Sequence, residues 1–240
     1  MKKILKSMFS KKKTSVPLGL VNDETPFAIS EAFRTLYTNV LYLNIEDKCK
    51  KIAVTSAISG EGKSTISINL ALTIAQNAEN KRVLIIDTDM RRPRVAELMS
   101  MENGHGLSEY LAGIDEEPNI IEVPERKISV LTSGGTNVNP TKLISSSRLN
   151  KLIEYCNERY DYVIVDTPPV DVVSDAMLLH DKVNGYILAV RADHSNITAL
   201  DECIQKLNSV DSEIYGIALT SVPMKSGRNR AYRHYYYQYY

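Results

Sequence analysis

Three short stretches of this chain gather residue types that can handle phosphate. The first runs Ala57-Ile-Ser-Gly-Glu-Gly-Lys-Ser-Thr65. Gly60 and Gly62 permit sharp bends that bring backbone N–H groups close to anionic oxygens. Lys63 can reach β- and γ-phosphates, and the Ser64 hydroxyl can ligate Mg²⁺ with Thr65 beside it. Ser59, Gly60, Glu61, Gly62, Lys63, Ser64 and Thr65 are therefore the candidate cradle for ATP. The usual leading glycine of such a loop is replaced by Ala57, a small residue that is tolerable where φ stays negative. The second stretch is Asp87-Thr-Asp-Met-Arg-Arg-Pro93. Spacing of two puts Asp87 and Asp89 on one side if a strand continues that far. They can hold Mg²⁺ through water or take a proton from an attacking hydroxyl. Arg91 and Arg92 can answer phosphate charge or pair with another subunit. The third is Asp166-Thr-Pro-Pro169, whose Asp166 can orient Mg²⁺ directly or through a water. Lys63, Asp87, Asp89 and Asp166 form the candidate catalytic set. Ser64, Asp87 and Asp166 are the candidate metal ligands.

These residues need a scaffold that ends its strands together. Ile52 to Val54 is a short β-branched run before the first stretch, and Ile66, Ile68, Leu70, Leu72 and Ile74 after it predict a helix buried on most sides. Val83 to Ile86 and Tyr162 to Val165 are buried strands ending at Asp87 and Asp166. Further strands are expected over 128–132, 186–190 and 214–219. Helices are expected over 25–45, near 107–111, from Thr141 to about Glu158, and around 174–181 and 198–208. Gly104 and Gly106 mark one turn, and Gly134, Gly135, Asn137, Asn139 and Pro140 form a loop. The alternation predicts an α/β fold of the P-loop NTPase kind, a mostly parallel sheet with helices on both faces. Acids at the carboxyl ends of such strands would face the phosphate loop.

The 240 residues suit one such domain, with ordinary hydrophobic (43%) and charged (24%) fractions. Zero net charge gives no case for nucleic acid as a partner. No apolar run approaches the ~20 residues that span a bilayer. Cys49, Cys156 and Cys203 are scattered without metal-like spacing, which fits a reducing cytosol.

The two ends differ from the middle and divide the chain into residues 1–22, 23–224 and 225–240. The first piece carries Lys2, Lys3, Lys6, Lys11, Lys12 and Lys13 without an acid, as a solvated arm or one drawn to an anionic membrane surface. The last is expected as a flexible tail, in which Tyr232, Tyr235, Tyr236, Tyr237, Tyr239 and Tyr240 supply six of the fourteen tyrosines within nine positions. It reads either as an aromatic segment that docks on a partner or as a set of phosphate acceptors. Each phosphate would add roughly −1.5 to −2 charge, enough to expel the tail from an acidic groove.

The variant loop Ala57 to Ser64, Ile85-Ile-Asp-Thr-Asp-Met-Arg-Arg-Pro93, Val163-Ile-Val-Asp-Thr-Pro-Pro169, Val130-Leu-Thr-Ser-Gly134 with Asn139-Pro140, and the terminal tyrosines together resemble the bacterial tyrosine kinases of capsule and exopolysaccharide synthesis, in the separate-chain form of Gram-positive bacteria. The resemblance covers roughly residues 25 to 240. It implies a P-loop kinase domain that uses ATP and Mg²⁺ to phosphorylate tail tyrosines of neighbouring copies. It implies a membrane-spanning adaptor as activator, a ring-shaped homo-oligomer, a cognate tyrosine phosphatase, and a cytoplasmic place at the inner face of the cell membrane through that partner. Such a cycle would regulate polysaccharide synthesis and export. Of the family's oligomerisation pattern Glu-x2-Arg-x2-Arg, Glu31 and Arg34 match, and Tyr37 stands in the last place, where it is a further candidate acceptor.

Two other readings share the fold. A MinD/ParA-type switch ATPase would hydrolyse ATP to control dimerisation. It usually carries an early lysine in the loop, absent from Ala57-Ile-Ser-Gly60. A non-catalytic nucleotide-gated adaptor would have no use for Lys63, Asp87, Asp89 and Asp166 together.

Overall fold

Aliphatic runs whose alternate residues point to opposite faces build a seven-stranded sheet in the computed structural model, which describes residues 20–22, 24–135 and 139–222. The strands are β1 (Lys50–Ser56), β2 (Val83–Asp87), β3 (Ile121–Val123), β4 (Ile128–Leu131), β5 (Tyr162–Asp166), β6 (Gly185–Arg191) and β7 (Ile214–Thr220), in the order β3-β4-β2-β5-β1-β6-β7. All neighbours are parallel except the β3–β4 pair. The parallel order brings the ends of β1, β2 and β5 to one edge, as the sequence predicts.

On one face Ile52, Val54, Ile85, Ile164 and Ile187 pack under helices α1 (Phe27–Leu41) and α2 (Lys63–Asn77). On the other, Ala53, Leu84, Ile86, Val163, Val165 and Leu188 meet α4 (Leu107–Ala112), α5 (Pro140–Ile144), α6 (Ser147–Arg159) and α7 (Ile197–Asn208). A single-turn helix, α3 (Val95–Leu98), follows β2. Every residue of α2 from Ile66 to Ala75 is buried, so its apolar residues on all sides find partners.

Four expectations need correction. The helix expected over 25–45 begins after Pro26 and stops at Leu41. The helix expected from Thr141 to Glu158 is two. The Ser145 hydroxyl bonds back to the Thr141 carbonyl at 2.9 Å, and Ser146 turns extended (φ −76, ψ 151) ahead of α6. Consecutive serines compete for backbone partners and favour such a break. The segment at 174–181 is a 3₁₀ helix, Ser174–Leu179. Finally β3, an antiparallel edge strand in the acidic stretch, is unforeseen because three residues carry little periodic signal.

Residues 1–19 of the basic arm, Asn137 and the six terminal tyrosines lie outside the described residues.

Candidate functional site

The loop between β1 and α2 is shaped by two left-handed glycines, Gly60 (φ 84) and Gly62 (φ 89). A β-carbon on Gly62 would also come within 3.3 Å of the Thr220 methyl. Ala57, the first residue after β1, is buried and is not among the positive-φ residues, which is why it can replace glycine there. Gly62 caps α2 without a side-chain hydrogen bond, so the positive end of the helix opens toward the loop. Ser59 and Gly60 are exposed, while Ser64 and Thr65 are half-buried on the first turn.

Glu61 departs from the other loop residues. Its side chain is fully buried, and its carboxylate accepts the Ile58 N–H at 3.0 Å and the Ser195 hydroxyl. The ends of β6 and β7 and the turn after β6 grip the loop from behind. Arg191 donates to the Gly60 carbonyl at 3.3 Å, His194 Nε2 lies 3.1 Å from the Ser59 carbonyl, and Thr220 donates to the Glu61 carbonyl at 2.9 Å. Sequence spacing gave no sign of Ser195, Arg191 or Thr220, which reach the loop from more than 130 positions away.

Asp166 is fully buried at the end of β5. Its Oδ2 accepts from the Ser64 hydroxyl at 2.6 Å and its Oδ1 from the Ser67 hydroxyl at 2.9 Å. Burial pushes its carboxyl up to about 6, against the pull of the Ser64 hydrogen bond and the Lys63 charge. Asp87 sits on the same rung of β2. Burial and the Asp166 charge raise its carboxyl well above the usual range. The strand stops at Asp87, so Asp89 belongs to a loop and not to the strand face anticipated above. Both Asp87 oxygens are engaged by that loop. Oδ1 accepts the Asp89 N–H at 3.0 Å, and Oδ2 accepts from Arg94 at 3.2 Å and Val95 at 3.1 Å. Asp89 takes the Arg92 N–H on Oδ1 at 3.0 Å. Burial raises its carboxyl, opposed by the Arg92 N–H and the Lys63 charge. Lys63, 8% exposed, thus acts electrostatically on both Asp89 and Asp166.

Further out, Arg91 Nε donates to Asp175 Oδ2 at 2.9 Å, and Arg91 also donates to the Thr141 hydroxyl at 3.2 Å. Thr141 donates to Asp175 Oδ1 at 2.6 Å. Asp175 is 1% exposed. An aspartate ahead of an apolar turn reads as a helix cap in sequence, so this carboxylate escaped notice.

Glu31 and Arg34 lie away from these groups on α1 and form an exposed ion pair at 2.6 Å. Tyr37 is buried in the core between α1 and the sheet, so it stands neither on the outer face nor in reach of a kinase.

The set is a half-buried cradle of N–H donors, one cation and a hydroxyl–carboxylate pair, with a second carboxylate opposite. Hard oxygens at Ser64 and Asp166 suit Mg²⁺, and the left-handed loop with its helix end suits a polyphosphate. Residues 49–216 match the family model described as an AAA domain. The chain is 33% identical to CapB of Staphylococcus aureus over 228 residues, covering 95% of this chain and 98% of that one. It is 34% identical to the tyrosine-protein kinase YwqD of Bacillus subtilis over 188 residues, covering 78% of each. The kinase domain of the Escherichia coli tyrosine kinase ETK superposes with a TM-score of 0.78 at 33% identity, covering 90% of this chain and 87% of that one. The full-length etk protein is longer, and the chain spans 30% of it.

Proposed function

The chain belongs to the bacterial tyrosine-protein kinases of capsule synthesis, and on that premise we propose that its pocket passes the γ-phosphoryl group of ATP to the tyrosines of residues 232–240 in a neighbouring copy. The observation that carries the reading is the meeting of Lys63, Ser64, Asp89 and Asp166 at one edge of the sheet, around a loop built for phosphates.

In this reading the loop amides and Lys63 bear the phosphate charge, in a site where partial burial strengthens each interaction. Mg²⁺ fits at Ser64 and Asp166, directly or through water, and would supply positive charge to the β- and γ-oxygens. Asp87 spends both oxygens on the loop that carries Asp89, so its part in holding the cation is through Asp166 and through that loop. Asp89 is 7% exposed where Asp87 is fully buried, and it has a raised affinity for protons. It is the better placed of the two aspartates to receive the tyrosine proton, since a free tyrosine has a pKa of ~10. The phenolic oxygen forms its bond to the γ-phosphorus. The bond from that phosphorus to the β–γ bridging oxygen breaks with its electron pair on ADP, and the proton passes to Asp89.

The acceptor segment 225–240 contains Lys225, Arg228, Arg230 and Arg233 and no acid. A pocket rimmed by Asp87, Asp89 and Asp166 attracts it until phosphate reverses its charge. This supports release after transfer; a ring joined through the face of Glu31 and Arg34, and a phosphatase that resets the cycle, complete the reading. Among the described residues no helix is long and apolar enough to cross a membrane. In this reading a membrane-spanning adaptor would hold the kinase at the inner face of the membrane. A MinD/ParA-type switch ATPase is only a distant relation. The test is to incubate the full chain, with and without the adaptor's cytoplasmic segment, in Mg-ATP and map phosphate by mass spectrometry. Phosphotyrosine within 232–240 supports the reading, and free phosphate alone defeats it.

A further inference from the structure

Asp175 is a carboxylate removed from water, and a buried charge persists only where it is paired. Its pairing is closed. Arg91 and Thr141 take one oxygen each, and Arg91 also bonds Thr141. Those three side chains come from the loop after β2, the first turn of α5 and the 3₁₀ helix after β5, so the ring of hydrogen bonds ties the β2 loop to two helices that share one core.

The place of this ring gives it meaning. The phosphate loop follows β1, Asp166 ends β5, and Asp87 ends β2 with Asp89 and Arg91 after it, in the spatial order β1, β5, β2. In-line transfer requires the acceptor to approach the γ-phosphoryl group from the side opposite the β-phosphate. With the phosphates gripped at β1 and drawn toward Asp166, that side is the end of β2. Asp175 lies close enough to Asp89 for its charge to be felt there. Of the guanidinium's five N–H groups, Nε and one other are used, and the rest have no protein partner among the described residues, on a side chain 39% exposed. Asp175 also cancels the Arg91 charge, so the site keeps directional donors without repelling a basic acceptor.

We propose that Asp175, with Thr141, is a positioning residue that aims the free donors of Arg91 at the phenolic oxygen of the acceptor tyrosine as it attacks the γ-phosphorus. The proposal rests on the kinase reading above and adds the acceptor-side wall to it.

The experiment uses the full chain in Mg-ATP and follows three quantities: binding of a fluorescent ATP analogue, phosphotyrosine formed, and phosphate released to water. Asp175→Asn and Arg91→Gln are expected to lower tyrosine transfer by about a hundredfold, the size of a lost transition-state donor. Nucleotide affinity should stay within about threefold, because no nucleotide contact is removed, and loss to water should fall far less than transfer. Arg91→Lys, which keeps the ion pair but not the fork, should lie between. The double variant should be no worse than Arg91→Gln alone. If Asp175→Asn fails to fold, Thr141→Val and Arg91→Lys carry the same comparison. A ratio of tyrosine transfer to water loss that is unchanged in these variants overturns the proposal while leaving the kinase intact. A wild-type chain that makes no phosphotyrosine while still releasing phosphate overturns both.

Discussion

Asp87 and Asp166 face each other on one rung of β2 and β5, two carboxylates buried side by side at the edge where the phosphate loop begins. Burial makes both harder to ionise, and the Asp166 charge adds to this at Asp87. The pair is poised for a cation and costly without one.

That cost has a direction in pH. An unfolded aspartate loses its proton near ~4, whereas folded Asp166 does so at about 6. Between those values the folded chain binds the proton more tightly, so this group's stabilising contribution is complete at the acid end and is lost as pH rises through 6. Thermal melts of the ligand-free protein should therefore show Asp166→Asn gaining stability relative to wild type between pH 5 and pH 7.5, by about 1.4 kcal/mol. The same variant should lose the rise in melting temperature that Mg-ATP gives the wild type. A wild type and variant that run parallel across that range would remove the shift from the account.

Lys63→Met deletes the one cation that acts on both Asp89 and Asp166. Phosphotyrosine detected by antibody should fall at least about a hundredfold, while the melting temperature of the ligand-free chain should not fall.

At Gly62, φ of 89 lies in the left-handed region, and the site faces the Thr220 methyl. Gly62→Ala should cost about 1–2 kcal/mol in urea unfolding and weaken ATP binding further, because the loop amides no longer converge. Ala57→Gly, by contrast, concerns a residue without positive φ and should leave nucleotide affinity within about twofold.

On α1 the Glu31–Arg34 pair is exposed, so Arg34→Ala should change monomer stability by less than about 1 kcal/mol. Sedimentation should nevertheless show weaker self-association if this face joins neighbouring copies. Tyr37→Ala should cost about 3 kcal/mol because the ring is in the core, and peptide mapping of folded, autophosphorylated protein should find Tyr37 unmodified.

Much of the site was legible in the sequence for a physical reason. Gly60, Gly62, Lys63 and Ser64 are neighbours in the chain because a backbone cradle must be continuous, and Asp87 and Asp166 end β-branched runs that can only be buried strands. The parallel sheet followed from the alternation of those runs with helices. Asp175, Ser195 and Thr220 were not legible, because their partners at Arg91 and Glu61 are 84, 134 and 159 positions away and no local pattern marks them. The same holds for Tyr37, whose inward turn depends on how α1 rolls against α2 and not on its spacing from Arg34. The break at Ser145–Ser146 was visible as three serines, yet the amphipathic spacing on either side masked it.

The Thr220 hydroxyl bolts the last strand to the phosphate loop, only two residues before Val222. Every hydrogen bond named at the pocket is thus made before the acceptors begin, so giver and receiver can be put on different molecules. A chain trimmed after Val222 keeps the whole machinery and nothing to label, and a full-length Lys63→Met chain keeps the labels and none of the machinery. Mixed together, radioactivity appearing on the longer chain could only have crossed from one molecule to the other.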